Sequence, residues 1–88
     1  MSIQREVLSE NHPEIAKSFN NIGSAHQRCG NLLKALENYE KCYEILEKIP
    51  DVNISQAIAC FVNLGMTNDI LEKYERALYF YKKYIVIV

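Results

Sequence analysis

Two asparagines, Asn21 and Asn63, are the side chains in this sequence best suited to recognition chemistry, and they stand 42 positions apart. A carboxamide donates through its NH2 group and accepts through its oxygen, so one Asn can hold a peptide carbonyl and a peptide N–H together. Repeated once per structural layer, such amides form a ladder that grips an extended backbone without reading its side chains. The competing use for each amide is a bond to a neighbouring helix terminus or loop. The other reactive residue types do not converge. Cys29, Cys42 and Cys60 are an odd number, widely spaced, with no general base beside them in sequence. With His12 and His26 they build no metal-ligand spacing. No glycine-rich phosphate loop is present. These residues predict no catalysis, no metal and no cofactor.

The elements that must position the asparagines repeat with them. The stretch opening at Phe19 returns at Phe61 with the same step of 42, and Gly23 falls on Gly65, Ala35-Leu36 on Ala77-Leu78, and Tyr39 on Tyr81. Lys41 and Ile45 fall on Lys83 and Ile87, while Ile3 and Asn11 fall on Ile45 and Asn53. Self-similarity at this period is the mark of a repeat array. Apolar residues at Ile15, Phe19, Ile22, Gly23 and His26 follow helical spacing, with Asn11 as N-cap, Pro13 in the first turn, and Gly30-Asn31 as the stop. A second helix starts near Leu33 and buries Ala35, Leu36, Tyr39, Cys42, Tyr43 and Leu46, ending before Pro50. Glu37 with Lys41 and Glu44 with Lys48 are favourable i,i+4 pairs on its solvated side. Asn53 with Gln56 marks the start of a third helix over about 54–70, apolar around nearly its whole circumference and therefore expected to be buried all round. A fourth helix over 74–88 is expected to turn Ala77, Leu78, Tyr81, Tyr84 and Ile85 inward. By the same register, residues 1–10 read as the second helix of an incomplete repeat, with a turn at 9–12.

A glycine inside a helix is about 1 kcal/mol worse than alanine, so two at one register need a reason. The expected reason is close helix approach, with Gly23 facing Ala35 and Gly65 facing Ala77.

Bulk properties bound the partners. An 88-residue chain is one small domain, and its stability should be marginal. Hydrophobic content of 49% argues against disorder. A net charge of −1 gives no field for nucleic acid or anionic lipid. No apolar run reaches the roughly 20 residues of a membrane helix, and no signal peptide is recognisable. The sparse cysteines point to a reducing, cytoplasmic setting.

Phe19, Ile22, Gly23, Ala35, Leu36 and Tyr39, repeated as Phe61, Leu64, Gly65, Ala77, Leu78 and Tyr81, resemble the tetratricopeptide repeat. The long step, with His12-Pro13-Glu14-Ile15-Ala16 and Asn20-Asn21, resembles the kinesin light chain subtype. This resemblance implies an all-α solenoid of about five helices, in antiparallel pairs stacked into a right-handed superhelix. It divides the single domain into the incomplete repeat at 1–10, repeat one at 13–50 and repeat two at 53–88. It also implies a concave groove that binds peptides or protein segments. Carried over, the groove positions are Lys17, Asn20, Asn21, Ser24, Gln27 and Arg28, then Ala59, Val62, Asn63, Met66 and Ile70. Lys17 and Arg28 could favour acidic flanking residues, or simply be solvated. Met66, Val62 and Ile70 could form an apolar pocket, or be covered by core contacts. Asn20 and Ser24 stand where chaperone-tail binders carry Lys and Asn, which argues against that activity. The turn at 69–73 lacks the glycine seen at Gly30, and Tyr84 stands where a small residue is the rule.

Two functional expectations follow. The first is a non-catalytic module binding an extended peptide or protein segment in the groove. The second is structural self-assembly, as a homodimer through the third and fourth helices and the Ile85-Val86-Ile87-Val88 end, or as part of a longer scaffold.

Overall fold

The computed structural model describes residues 13–87 as four helices. They are α1 (Pro13–Arg28), α2 (Leu32–Glu47), α3 (Ile54–Ile70) and α4 (Tyr74–Ile87), and no strand occurs among the described residues. The helix expected over 1–10, the turn at 9–12 and the Asn11 cap lie outside the described residues.

Local chemistry explains the helix ends. At the start of α3, Asn53 adopts extended backbone angles and its Oδ1 accepts from the Gln56 N–H at 3.2 Å, as the cap signal predicts. Asn31, at the start of α2, makes no such side-chain bond. At the end of α1, Gly30 enters the left-handed region at φ 84°. Cys29 N–H then reaches Ala25 O (3.1 Å), Gly30 N–H reaches Gln27 O (3.0 Å) and Asn31 N–H reaches His26 O (2.8 Å). The end of α3 repeats this turn one period later. Leu71, Glu72 and Lys73 N–H reach Thr67 O (3.0 Å), Asp69 O (2.9 Å) and Asn68 O (2.8 Å). Glu72 takes the glycine's place at φ 63°. The missing glycine thus leaves the turn's geometry unchanged and loads its conformational cost onto a glutamate.

α1 packs on α2, α3 packs on α4, and α2 joins the two pairs by packing on α3. Ala16, Ala35, Leu36, Tyr39, Cys42 and Leu46 of the first pair form one buried cluster with Cys60, Leu64 and Phe80 of the second. Both recurring glycines make room for a ring, and Gly23 also for the Ala35 backbone; at Gly65 it is the Tyr81 ring, and not Ala77, that takes the space. A Cβ built on Gly23 would lie 2.7 Å from Tyr39 Cδ1 and 3.1 Å from Ala35 O. One built on Gly65 would lie 2.6 Å from Tyr81 Cδ1. Each glycine is therefore the seat of the tyrosine four residues beyond the buried alanine. A second repeated contact sets Lys41 Nζ 5.6 Å from the Phe19 ring centre and Lys83 Nζ 5.9 Å from that of Phe61.

Two burial expectations need correction. α3 is not covered all round, because Ile54, Met66 and Ile70 are 63%, 43% and 54% exposed. Its neighbours α2 and α4 shield one side, and among the described residues no helix lies against the other. On α4, Leu78 and Ile85 are exposed, whereas Phe80 is completely buried. Leu36, the counterpart of Leu78, is buried in the cluster that Cys60 and Leu64 of α3 complete, and among the described residues no such layer covers Leu78. Phe80 packs edge-to-face on Tyr43 of α2, ring centres 5.1 Å apart, with Phe61 stacked at 6.5 Å. Its counterpart is Asn38, so comparing the two repeats conceals its role.

Candidate functional site

The first helix of each pair contributes to a cleft of about 460 Å³. Pro13, Glu14, Lys17, Asn20 and Asn21 line it from α1, and Asn53, Ser55, Gln56 and Ala59 from the start of α3. Cys42 of α2 also lines it. Two side-chain hydrogen bonds tie its walls together. Asn63 Nδ2 donates to Asn20 Oδ1 at 3.0 Å, and Gln56 Nε2 donates to the Pro13 carbonyl at 3.1 Å. A reciprocal capping box would turn Gln56 back on Asn53, but its side chain crosses to α1. The cap and the crossing bond together fix the start of α3 beside the start of α1.

The expected groove residues divide into three groups. Lys17, Asn20, Asn21 and Ala59 line the cleft, with Lys17 and Asn21 exposed and Asn20 half-buried. Asn63 is half-buried and reaches the cleft through its bond to Asn20, so its partner across the repeats is Asn20 and not Asn21. Ser24, Gln27 and Arg28 gather instead around the Tyr39 phenol. The hydroxyl of Tyr39 donates to Gln27 Oε1 at 2.6 Å. Burial pushes this phenol above its ordinary range, while the Ser24 hydroxyl and the Arg28 charge pull it back. At the same station in the second pair, burial and the nearby Asp69 carboxylate raise the Tyr81 phenol. Val62, Met66 and Ile70 lie further along α3, half-buried at Val62 and exposed at the other two, and none lines the cleft.

Sequence reasoning missed Pro13, Glu14, Asn53, Ser55 and Gln56 as cleft walls. Asn53 and Gln56 were legible only as a helix start. The signal available was the 42-residue register itself, which sets the starts of α1 and α3 side by side. His26 is half-buried in α1. Among the described residues no group of three His, Cys, Asp or Glu side chains could hold a metal ion. No helix among them is long and apolar enough to cross a membrane.

The repeated helix pair, the ring-on-glycine contact and the twice-made turn describe a repeat unit, and the family comparison agrees. The tetratricopeptide repeat model matches residues 1–48 and again 14–86. The chain belongs to the tetratricopeptide repeat family. Such repeats generally mediate protein–protein interactions and are typically non-enzymatic. No curated protein and no solved structure matches the chain. Within this tetratricopeptide chain, the α1–α3 cleft is the place where convergent carboxamides meet open volume.

Proposed function

We propose that this tetratricopeptide chain is a non-catalytic protein-interaction module whose α1–α3 cleft holds an extended segment of a partner protein. One observation carries this reading: Asn20, Asn21, Asn53 and Gln56 rim the same cleft, with Asn63 bonded to it through Asn20. In the Asn63–Asn20 bond, the Asn63 oxygen and both Asn20 N–H groups keep their capacity for a ligand. Asn21 is exposed and adds a donor and an acceptor. A peptide backbone presents alternating donors and acceptors that such a row can meet. Lys17 at the rim favours an acidic residue beside the gripped stretch. The 42-residue step fits the kinesin light chain-like subtype and a right-handed stacking of the pairs. The balance of charge fits a cytoplasmic partner rather than nucleic acid or membrane.

Screening an immobilised library of extended peptides and titrating the binders tests this. Asn21→Ala with Asn63→Ala should weaken binding by about 1–3 kcal/mol, roughly 5- to 150-fold in Kd, with the helical circular dichroism unchanged. Equal affinity of the double variant, or no peptide bound at all, would refute it.

A second reading, self-association, is favoured by the exposed apolar face of α3 and α4. Met66, Ile70, Leu78, Ile85 and Val86 are all exposed there. Light scattering at micromolar concentration decides it. Mass equal to one chain rules the dimer out.

A further inference from the structure

We infer that the self-association described above, on which this contact depends, runs through α4: α4 packs antiparallel on α4 of a second copy, and two Glu75–Lys82 pairs between the copies fix that direction. Neighbouring helices hold two sides of α4. Phe80 and Tyr79 face α2, through the edge-to-face contact of Phe80 with Tyr43 and the Tyr43–Tyr79 hydroxyl pair at 3.2 Å. Ala77 is buried, and the Tyr81 ring fills the space over Gly65 of α3. Tyr74, Leu78 and Ile85 are left on the remaining edge, each more than half exposed. With half-buried Tyr81 they are spaced four, three and four residues apart, the a/d stripe by which one helix packs along another. The 42-residue register sets Leu78 and Ile85 on Leu36 and Tyr43 of α2. Both of those already make contacts between the pairs, Leu36 in the core cluster and Tyr43 against Phe61 and Phe80. A further helix laid like α3 fits this edge less well. Tyr84 stands at the station of Cys42, a small residue buried in the cluster that joins the pairs, and its bulk holds such a helix off.

Charge selects the occupant. Glu75 and Lys82 are both exposed, seven residues apart on the solvent side of the stripe. Among the described residues neither has an ion-pair partner, whereas Arg76 lies over the rings of Tyr79 and Phe80, and Lys83 over those of Phe61 and Tyr79. Opposite charges one heptad apart are complementary to their own reverse. In an antiparallel pair related by a two-fold axis, each copy's Tyr74 meets the other's Ile85, and each Leu78 meets the other's Tyr81. That register sets Glu75 beside Lys82 of the second copy, twice. A parallel pair sets each charge level with its own like and gains neither contact. The same stations on α2 hold Leu33 and Glu40, so the pattern is not carried over by the repeat. A net charge of −1 puts little long-range repulsion between copies. No residue of α4 lines the α1–α3 cleft, so a peptide held there and a second copy on α4 do not compete.

The test measures mass by sedimentation equilibrium on the full chain at micromolar concentration. The parent should sediment as two chains. Glu75→Lys and Lys82→Glu each turn both pairs into like-charge contacts, and each should weaken the dimer roughly 10-fold in Kd. The double variant E75K/K82E should return to the parent's Kd. An equimolar mixture of E75K and K82E chains should give the mixed dimer in excess over either homodimer by native mass spectrometry. Leu78→Glu should leave a single chain, with helical circular dichroism unchanged because the side chain is exposed. A single-chain mass for the parent overturns both the self-association reading and this contact. A parent dimer whose Kd is the same in E75K and K82E overturns the antiparallel α4 contact alone. So does a double variant as weak as the single ones.

Discussion

The two α-helix ends at Gly30 and Glu72 make one controlled comparison inside a single molecule. Their backbone bonds match to within about 0.1 Å, and both residues sit at positive φ, 84° and 63°. A left-handed conformation costs an L-residue about 1–2 kcal/mol, and glycine almost nothing. Introducing glycine also loosens the unfolded chain, which costs about 0.4–1 kcal/mol. Glu72→Gly should therefore stabilise the protein by about 0.5–1 kcal/mol. Gly30→Ala should destabilise it by a similar amount. No atom lies within 4 Å of a Cβ built on Gly30, so that loss would come from the backbone alone. For a domain of this size, 1 kcal/mol moves the thermal midpoint by about 4–8 °C. Thermal unfolding followed by circular dichroism should place E72G a few degrees above the parent and G30A a few degrees below. Glu72→Gln separates the carboxylate's unfavourable position at a helix C-terminus from the backbone effect. If E72Q matches E72G, charge and not φ is responsible. If G30A leaves the midpoint unmoved, the reasoning fails at both turns.

Gly23→Ala should destabilise by about 1–2 kcal/mol, because overpacking against the Tyr39 ring exceeds the roughly 1 kcal/mol gained in helix propensity. A urea midpoint that rises would show that propensity wins and that the ring yields. Thr67 is completely buried and its Oγ1 has no hydrogen-bond partner, so Thr67→Val should stabilise by about 1 kcal/mol. Thermal unfolding showing a loss for T67V would mean that the hydroxyl is satisfied after all.

Helix positions, the pairing and the repeat were legible because they rest on local rules. Apolar spacing, the Asn53 cap and Pro13 act over a few residues, and duplication at 42 shows each rule twice. The cleft was legible in part. Lys17, Asn20, Asn21 and Ala59 fall on it, since one face of α1 and the matching face of α3 must look the same way. Ser24 and Gln27 do not line it, because the Tyr39 phenol draws them to itself. That phenol's path over Gly23 depends on how α2 lies on α1, which no single helix encodes.

Sequence alone determined that this is an all-helical tetratricopeptide chain, with glycines where helices meet and amides on the face of α1 and α3. Those features follow from periodicity and from side-chain size. Tertiary structure alone decided that Asn63 bonds Asn20 and that Gln56 leaves its own helix for Pro13. It also decided that Phe80 is buried while Leu78 is exposed. The physical reason is common to all of these. Each contact joins residues from different helices, and its geometry depends on how one pair is offset against the next, a quantity no local pattern of residues contains.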